Sequence, residues 1–328
     1  MQEAMFYEKG DSVKCVLCPH KCRILEGHAG ICGVRKNVSG TLFSLVYGKA
    51  AALHIDPVEK KPLFHFLPGS KILSIGTVGC NLKCSFCQNY AISQEHEVQG
   101  DIISPMHAVD MALKNGCDSI ALTYNEPTIF FEYALDICIE AKKKGLKTVF
   151  VSNGYILEEP IKALKGNLDA INIDLKSFSN DFYKTVCKAR LSPVLEAIRA
   201  YKEAGVWVEI TTLVIPGQND SLEELGSIAE FIASIDRQMP WHVTGFHPDY
   251  NMQEVPQTSL SSLQAAQKIG KEKGLKFVYA GNLISKDGEN TYCPACKKLL
   301  FRRSGFSVLE RVEEGKCECG YNLPGIFG

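Results

Sequence analysis

Three cysteines, Cys80, Cys84 and Cys87, fall within the stretch VGCNLKCSFCQN, Val78 to Asn89. Structural zinc takes four ligands and a disulfide two, so three thiols in one tight loop are short of a closed site. Thiolates at C-x3-C-x2-C can hold three irons of a 4Fe-4S cluster and leave the fourth iron open to an exogenous ligand. The alternative is a zinc knuckle that borrows its fourth ligand from elsewhere.

The other cysteines, of fourteen in all, divide by position. Cys293 and Cys296 in CPAC, then Cys317 and Cys319 in CECG, form two chelating turns on either side of FRRSGFSVLERV, which reads as a hairpin. That is the pattern of a zinc ribbon, with a rubredoxin-like iron or an empty reduced site as alternatives. Cys15, Cys18, Cys22 and Cys32, at C-x2-C-x3-C-x9-C, suit zinc or a second 4Fe-4S cluster, and the lack of a ferredoxin-type run favours zinc. Cys117 and Cys138 read as small buried hydrophobes. Cys187 stands beside Lys184, Lys188 and Arg190, cations that would lower its pKa. It is therefore a candidate catalytic thiol, as hydrogen donor or substrate contact, against the reading of a loop thiol without a chemical role.

The chain has 328 residues, 45% hydrophobic and 22% charged, with a net charge of -1, which excludes a disordered or strongly basic protein. No run approaches the eighteen or so apolar residues of a membrane span, and the opening MQEAMFYEKGDSVKC lacks a signal peptide's features. These features predict a cytoplasmic protein, where fourteen cysteines imply metal or catalysis rather than disulfides. Basic clusters such as AKKKG and KKLLFRRSG lie in a neutral chain, so a nucleic-acid partner is unsupported.

Positioning these groups falls to short β-branched runs that alternate with helical patterns. Strands are predicted at 71–77, 119–124, 147–153, 170–176, 206–215 and 241–247, with KFVYAG, 276–281, a possible seventh. SPMHAVDMALKNG offers Ser104 as N-cap and Pro105 at the first helical position, and Ser221 to Glu224 forms a capping box. Such alternation specifies parallel βαβ units, in a barrel or an open doubly wound sheet. In a barrel, the trio would follow the first strand at the face where active sites form.

At this point the sequence resembles the radical S-adenosylmethionine (SAM) superfamily, whose signature is C-x3-C-x2-C with an aromatic before the last cysteine, here Phe86. Over essentially its whole length it is similar to activating enzymes of pyruvate formate-lyase, and more narrowly to the radical SAM enzymes of the AmmeMemoRadiSam system. The segments CVLCPHKC, DPVEKKPLFHFLPG, TYNEPTIF, VSNGY, INIDLKSF, IPGQND and GFHPDY carry that likeness.

The resemblance implies one-electron cleavage of SAM at a 4Fe-4S cluster, giving a 5'-deoxyadenosyl radical for hydrogen abstraction. It also implies an electron donor such as flavodoxin or ferredoxin. Asn125 and Glu126 align with a Gly-Gly-Glu segment that receives the SAM ammonium, although Tyr124 and Asn125 replace the glycines. Ser152 and Asn153 match the ribose-binding position, and Asp174 and Lys176 reach ribose or carboxylate. Ile215 is the adenine candidate and His247 a strand-end candidate. The alternatives are a surface acid for Glu126, a turn for Ser152 and Asn153, a surface ion pair for Asp174 and Lys176, and core packing for Ile215 and His247. Glu59, Lys60 and Lys61 read as solvated charges.

The resulting reading is an α/β protein, a partial (β/α)6 radical SAM barrel over 70–285. It follows an N-terminal cysteine-rich module, 1–69, and precedes a zinc-ribbon-like C-terminal module, 286–328. Activation of a glycyl radical enzyme is the first functional hypothesis. Radical modification of another protein, RNA or a small molecule is the second, and a non-catalytic metal scaffold the third.

Overall fold

The computed structural model describes residues 1–10, 12–94, 97–283 and 287–328. The boundary expected at 285/286 lies outside these residues. Eight strands form the main sheet: β1 (Ala52–Pro57), β2 (Lys71–Gly76), β3 (Ser119–Leu122), β4 (Lys147–Ser152), β5 (Ala170–Asp174), β6 (Trp207–Val214), β7 (Trp241–Gly245) and β8 (Val278–Gly281). Their spatial order follows the chain without reversal from β8 back to β1. A doubly wound sheet would reverse at a switch point, so the winding is that of a barrel. Because β1 and β8 do not pair, the barrel is partial.

Strands β2 to β8 are parallel, so the six expected strands and the possible seventh all take part. Strand β1, which sequence reasoning placed in the N-terminal module, pairs antiparallel to β2 from Ala52↔Gly76 to Pro57↔Lys71. Helices α1 (Pro105–Lys114), α2 (Phe131–Lys143), α3 (Glu158–Leu164), α4 (Leu191–Glu203), α5 (Leu222–Ile235) and α6 (Leu260–Glu272) connect the strands. Ser104 caps α1 by accepting the His107 N–H at 3.2 Å.

Ser221 likewise accepts the Glu224 N–H at 3.2 Å. The Glu224 carboxylate does not complete the expected capping box. It accepts the Ser177 hydroxyl and the Phe178 N–H instead, which ties the loop after β5 to α5.

The segment Val58 to Leu67 crosses beneath the site. Glu209, fully buried on β6, accepts the Phe64 and His65 N–H groups at 3.0 and 2.8 Å, the Trp207 indole at 3.0 Å and His242 Nε2 at 2.7 Å. Asn172 on β5 donates to the Pro62 carbonyl at 2.7 Å. Glu59 and Lys61, expected in solvent, are each only 2% exposed, Lys61 being paired to Asp56 at 2.7 Å. The C-terminal hairpin, β9 (Leu299–Ser304) and β10 (Ser307–Arg311), fills the position read for it and sends Arg303 inward to the Phe64 carbonyl at 2.9 Å. Among the described residues, no helix is long and apolar enough to cross a membrane.

Candidate functional site

Strand β2 ends at Gly76, and the loop that follows brings Cys80, Cys84 and Cys87 to one cleft of about 500 Å³, a volume suited to a small-molecule ligand. Asn125 fastens this loop to the end of β3. Its Oδ1 accepts the Thr77 N–H at 3.1 Å, and its Nδ2 donates to Thr77 Oγ1 at 3.0 Å and to the Gly79 carbonyl at 2.9 Å. The backbone at Tyr124, where a glycine was expected, is left-handed with φ 68°. Its hydroxyl donates to Asp56 at 2.7 Å, which offers a side-chain anchor for that conformation.

Two donors already face the first thiol: the Leu82 N–H at 3.4 Å and Asn153 Nδ2 at 3.7 Å from Cys80 Sγ. N–H···S contacts of this kind stabilise thiolate sulfur on a metal group. Burial raises the pKa of Cys80 and Cys87, while a hydrogen bond with Cys187, followed by burial, raises that of Cys84. Metal binding would displace those protons to solvent, and three thiols on one cleft with N–H donors aimed at Cys80 Sγ fit the ligand set of an iron–sulfur cluster.

Across the cleft, Asp174 and Lys176 share a face of the chain and pair at 2.9 Å, with Lys176 Nζ 5.6 Å from the Phe86 ring centroid. Burial alone would lower the Lys176 pKa, but the Asp174 carboxylate, first among its charged neighbours, holds it well above its usual value. The Lys176 side chain is 13% exposed and that of Asp174 38%, so the pair sits where the cleft meets solvent. Thr211 also lines the cleft, with a buried Oγ1 that has no hydrogen-bond partner, an orphan suited to a polar ligand.

Glu126 takes a different place from the one its strand-end position suggested. It is fully buried and is spent on the protein: Oε1 accepts from Thr128 N, Thr128 Oγ1 and Ser152 Oγ at 2.9, 2.6 and 2.8 Å, and Oε2 from Asn153 N at 2.8 Å. It is thus a positioning residue for Ser152 and Asn153, which do line the cleft. Asn153 is engaged further, donating to Asn81 Oδ1 at 2.9 Å.

Ile215 is buried in the core, its N–H held by Asn219 Oδ1 at 2.6 Å, and Leu213 lines the cleft in its stead. His247 is exposed and lies 3.1 Å from Gln88 Nε2 of the cysteine loop. Cys187 is buried at the end of a π-helical turn, Tyr183–Cys187, rather than in an open loop. Its carbonyl accepts the Lys83 N–H at 3.0 Å, which supports the cysteine loop. Of the cations expected to activate it, Lys184 and Lys188 are exposed and Arg190 donates to the Pro19 carbonyl at 3.2 Å.

Sequence reasoning missed Lys60, Lys61 and Pro62, which line the cleft from the segment after β1, and Phe306, which reaches it from the tip of the C-terminal hairpin. Only long-range packing brings these together. In the C-terminal group, Cys293 Sγ lies 3.6 Å from Cys319 Sγ and Cys296 Sγ 3.5 Å from Cys317 Sγ, close to the sulfur spacing of a tetrahedral metal site.

Residues 74–232 match the model of the Radical SAM superfamily. An uncharacterised protein of Methanocaldococcus jannaschii is 44% identical, the match covering 98% of this chain and 99% of that one. A putative glycyl-radical enzyme activating enzyme of the same organism is 29% identical over 53% of this chain and 67% of its own. Among solved structures, a radical SAM methyltransferase from Sphaerobacter thermophilus shares the fold with a TM-score of 0.53 at 15% identity, covering 71% of each chain.

Proposed function

The chain belongs to the radical SAM superfamily, and from that premise we propose that it generates a substrate radical, with a glycyl radical enzyme as the protein it activates. When bound, the 4Fe-4S cluster and SAM supply a one-electron cleavage that yields a 5'-deoxyadenosyl radical. Cys80, Cys84 and Cys87 would hold the cluster, and their convergence on one cleft is the observation that carries the reading. Lys176 and Asp174 present a cation and an anion to the carboxylate and hydroxyl or ammonium groups of SAM, and Thr211 offers a free hydroxyl. Phe86 and Leu213 give the cleft apolar wall against water, and Phe306, half exposed, stands at its edge.

The activase reading is supported by the likeness to a putative glycyl-radical enzyme activating enzyme. The C-terminal quartet fits structural zinc, since all four sulfurs lie within 4.8 Å of one another.

Anaerobically reconstituted protein should carry about three to four irons more than a variant with Cys80→Ala, Cys84→Ala and Cys87→Ala. It should also release 5'-deoxyadenosine under dithionite. Equal iron in the two proteins would remove the cluster assignment. A doublet in the electron paramagnetic resonance spectrum of an added glycyl radical enzyme would support the activase reading. SAM cleavage without a doublet would move the substrate to another protein, RNA or a small molecule.

A further inference from the structure

The four front cysteines are spaced differently from the C-terminal quartet. Cys15, Cys18, Cys22 and Cys32 all line one small apolar cavity, although they come from separate strands and turns. Among the described residues, the C-terminal quartet is the one group of three or more potential ligands whose donor atoms all lie within 4.8 Å of one another. A single zinc at about 2.3 Å from each thiolate draws four sulfurs to about 3.8 Å apart. In a 4Fe-4S cluster each thiolate binds a different iron, so the sulfurs stand further apart. The wider spacing of the front four is shared with Cys80, Cys84 and Cys87, which also fall outside that limit.

A second observation points to a ligand in the same cavity. Arg35 lines it and is only 1% exposed. Two of its nitrogens are engaged, Nη1 by both oxygens of Glu132 at 2.9 Å and Nη2 by the Met5 carbonyl at 2.6 Å. Its Nε is buried without a partner, a cationic donor left for an anionic group among the thiols. From these we propose that Cys15, Cys18, Cys22 and Cys32 hold a second 4Fe-4S cluster, with Arg35 donating to one of its sulfurs.

The segment that carries these cysteines packs against the loop of the first site. A Cβ on Gly79 would lie 2.5 Å from the Cys32 carbonyl oxygen, so the chain preceding Cys80 packs in contact with the front module. His20 Nε2 adds a second link, 2.7 Å from the Asn81 carbonyl. The comparison with the trio rests on the function proposed above, and the experiment separates the two.

Full-length protein is purified without oxygen, and iron, zinc and acid-labile sulfide are counted per chain. Three proteins are compared: the wild type, the Cys80→Ala, Cys84→Ala, Cys87→Ala variant, and a Cys18→Ala, Cys22→Ala variant. The expected result is about eight irons in the wild type and about four in the triple variant, with the visible absorption of a cluster retained there. The double variant should lose iron while keeping the zinc of the C-terminal quartet. A triple variant that is free of iron and holds two zinc ions would overturn the inference. Should the double variant fail to fold, the triple variant's iron and zinc decide alone. A triple variant with the wild-type iron content would instead refute the assignment of the trio, and the double variant would then judge the front site.

Discussion

At the scale of single residues, a buried carboxylate that accepts three protein hydrogen bonds at one oxygen and one at the other has most of its acceptor capacity spent inside the protein. Glu126 is in that state, and burial raises its pKa against the lowering effect of those donors. Glu126→Gln replaces one acceptor with an amide that opposes existing donors, so it should cost about 2–4 kcal/mol of stability. A urea titration should show that loss, while the affinity of the folded fraction for SAM changes less than about tenfold. Unchanged stability with affinity lost would return Glu126 to the ligand. Asp174 ends β5 and Lys176 lies two residues beyond it, so their pairing at 2.9 Å does not follow from the strand periodicity by which they were read. The place of Ile215 was not legible either, because β6 ends at Val214 and the next turn redirects the chain. The sequence also could not reveal Thr211 as a free hydroxyl, since its lack of a partner depends on neighbouring strands.

At the scale of elements, the segment between β1 and β2 shows why periodicity reads strands well and plugs poorly. Its charges looked solvated because nothing local says that Glu209 and Arg303, far along the chain, close over it. His65 within it is fully buried between the Pro324 carbonyl at 2.7 Å from Nδ1 and the Tyr279 hydroxyl at 2.7 Å from Nε2. A carbonyl only accepts, so Nδ1 carries the proton and Nε2 accepts from Tyr279. Burial lowers the His65 pKa from 6.5 to about 4 despite the nearby Glu209 carboxylate. A depressed histidine pKa means that the unfolded chain binds the proton first. Stability should therefore fall as pH drops from about 6.5 towards 4, by about 2 kcal/mol between pH 7 and pH 5. Urea midpoints at the two pH values, compared with those of His65→Gln, isolate this contribution. An equal pH dependence in the variant would assign the effect to another group.

At the scale of the whole molecule, the seven parallel strands were legible because each carries its own hydrophobic signal, whereas that signal left a barrel and a doubly wound order equally open until the resemblance implied a barrel. How the C-terminal module seats on the barrel was not legible, since it depends on contacts between distant segments. Arg303 binds the Phe64 carbonyl, the Ile326 N–H donates to the His65 carbonyl at 2.8 Å, and the Leu67 N–H to the Ile326 carbonyl at 2.7 Å. Phe301, Cys293 and Cys317 share a buried cluster with Phe64 and Tyr279, and Phe306 of the same hairpin lines the cleft. A module joined to the barrel at both its floor and its mouth should not melt by itself. Cys296→Ala with Cys319→Ala, which removes two exposed ligands of the quartet, should lower the Tm of the main transition by at least about 5 °C. The same variant should weaken SAM binding, because the hairpin tip would no longer be held against the cleft. If calorimetry instead showed an unchanged main transition and a separate small one at lower temperature, the quartet would stabilise only its own module. The contacts of Arg303 and Phe306 would then be consequences of the barrel's fold rather than supports for it.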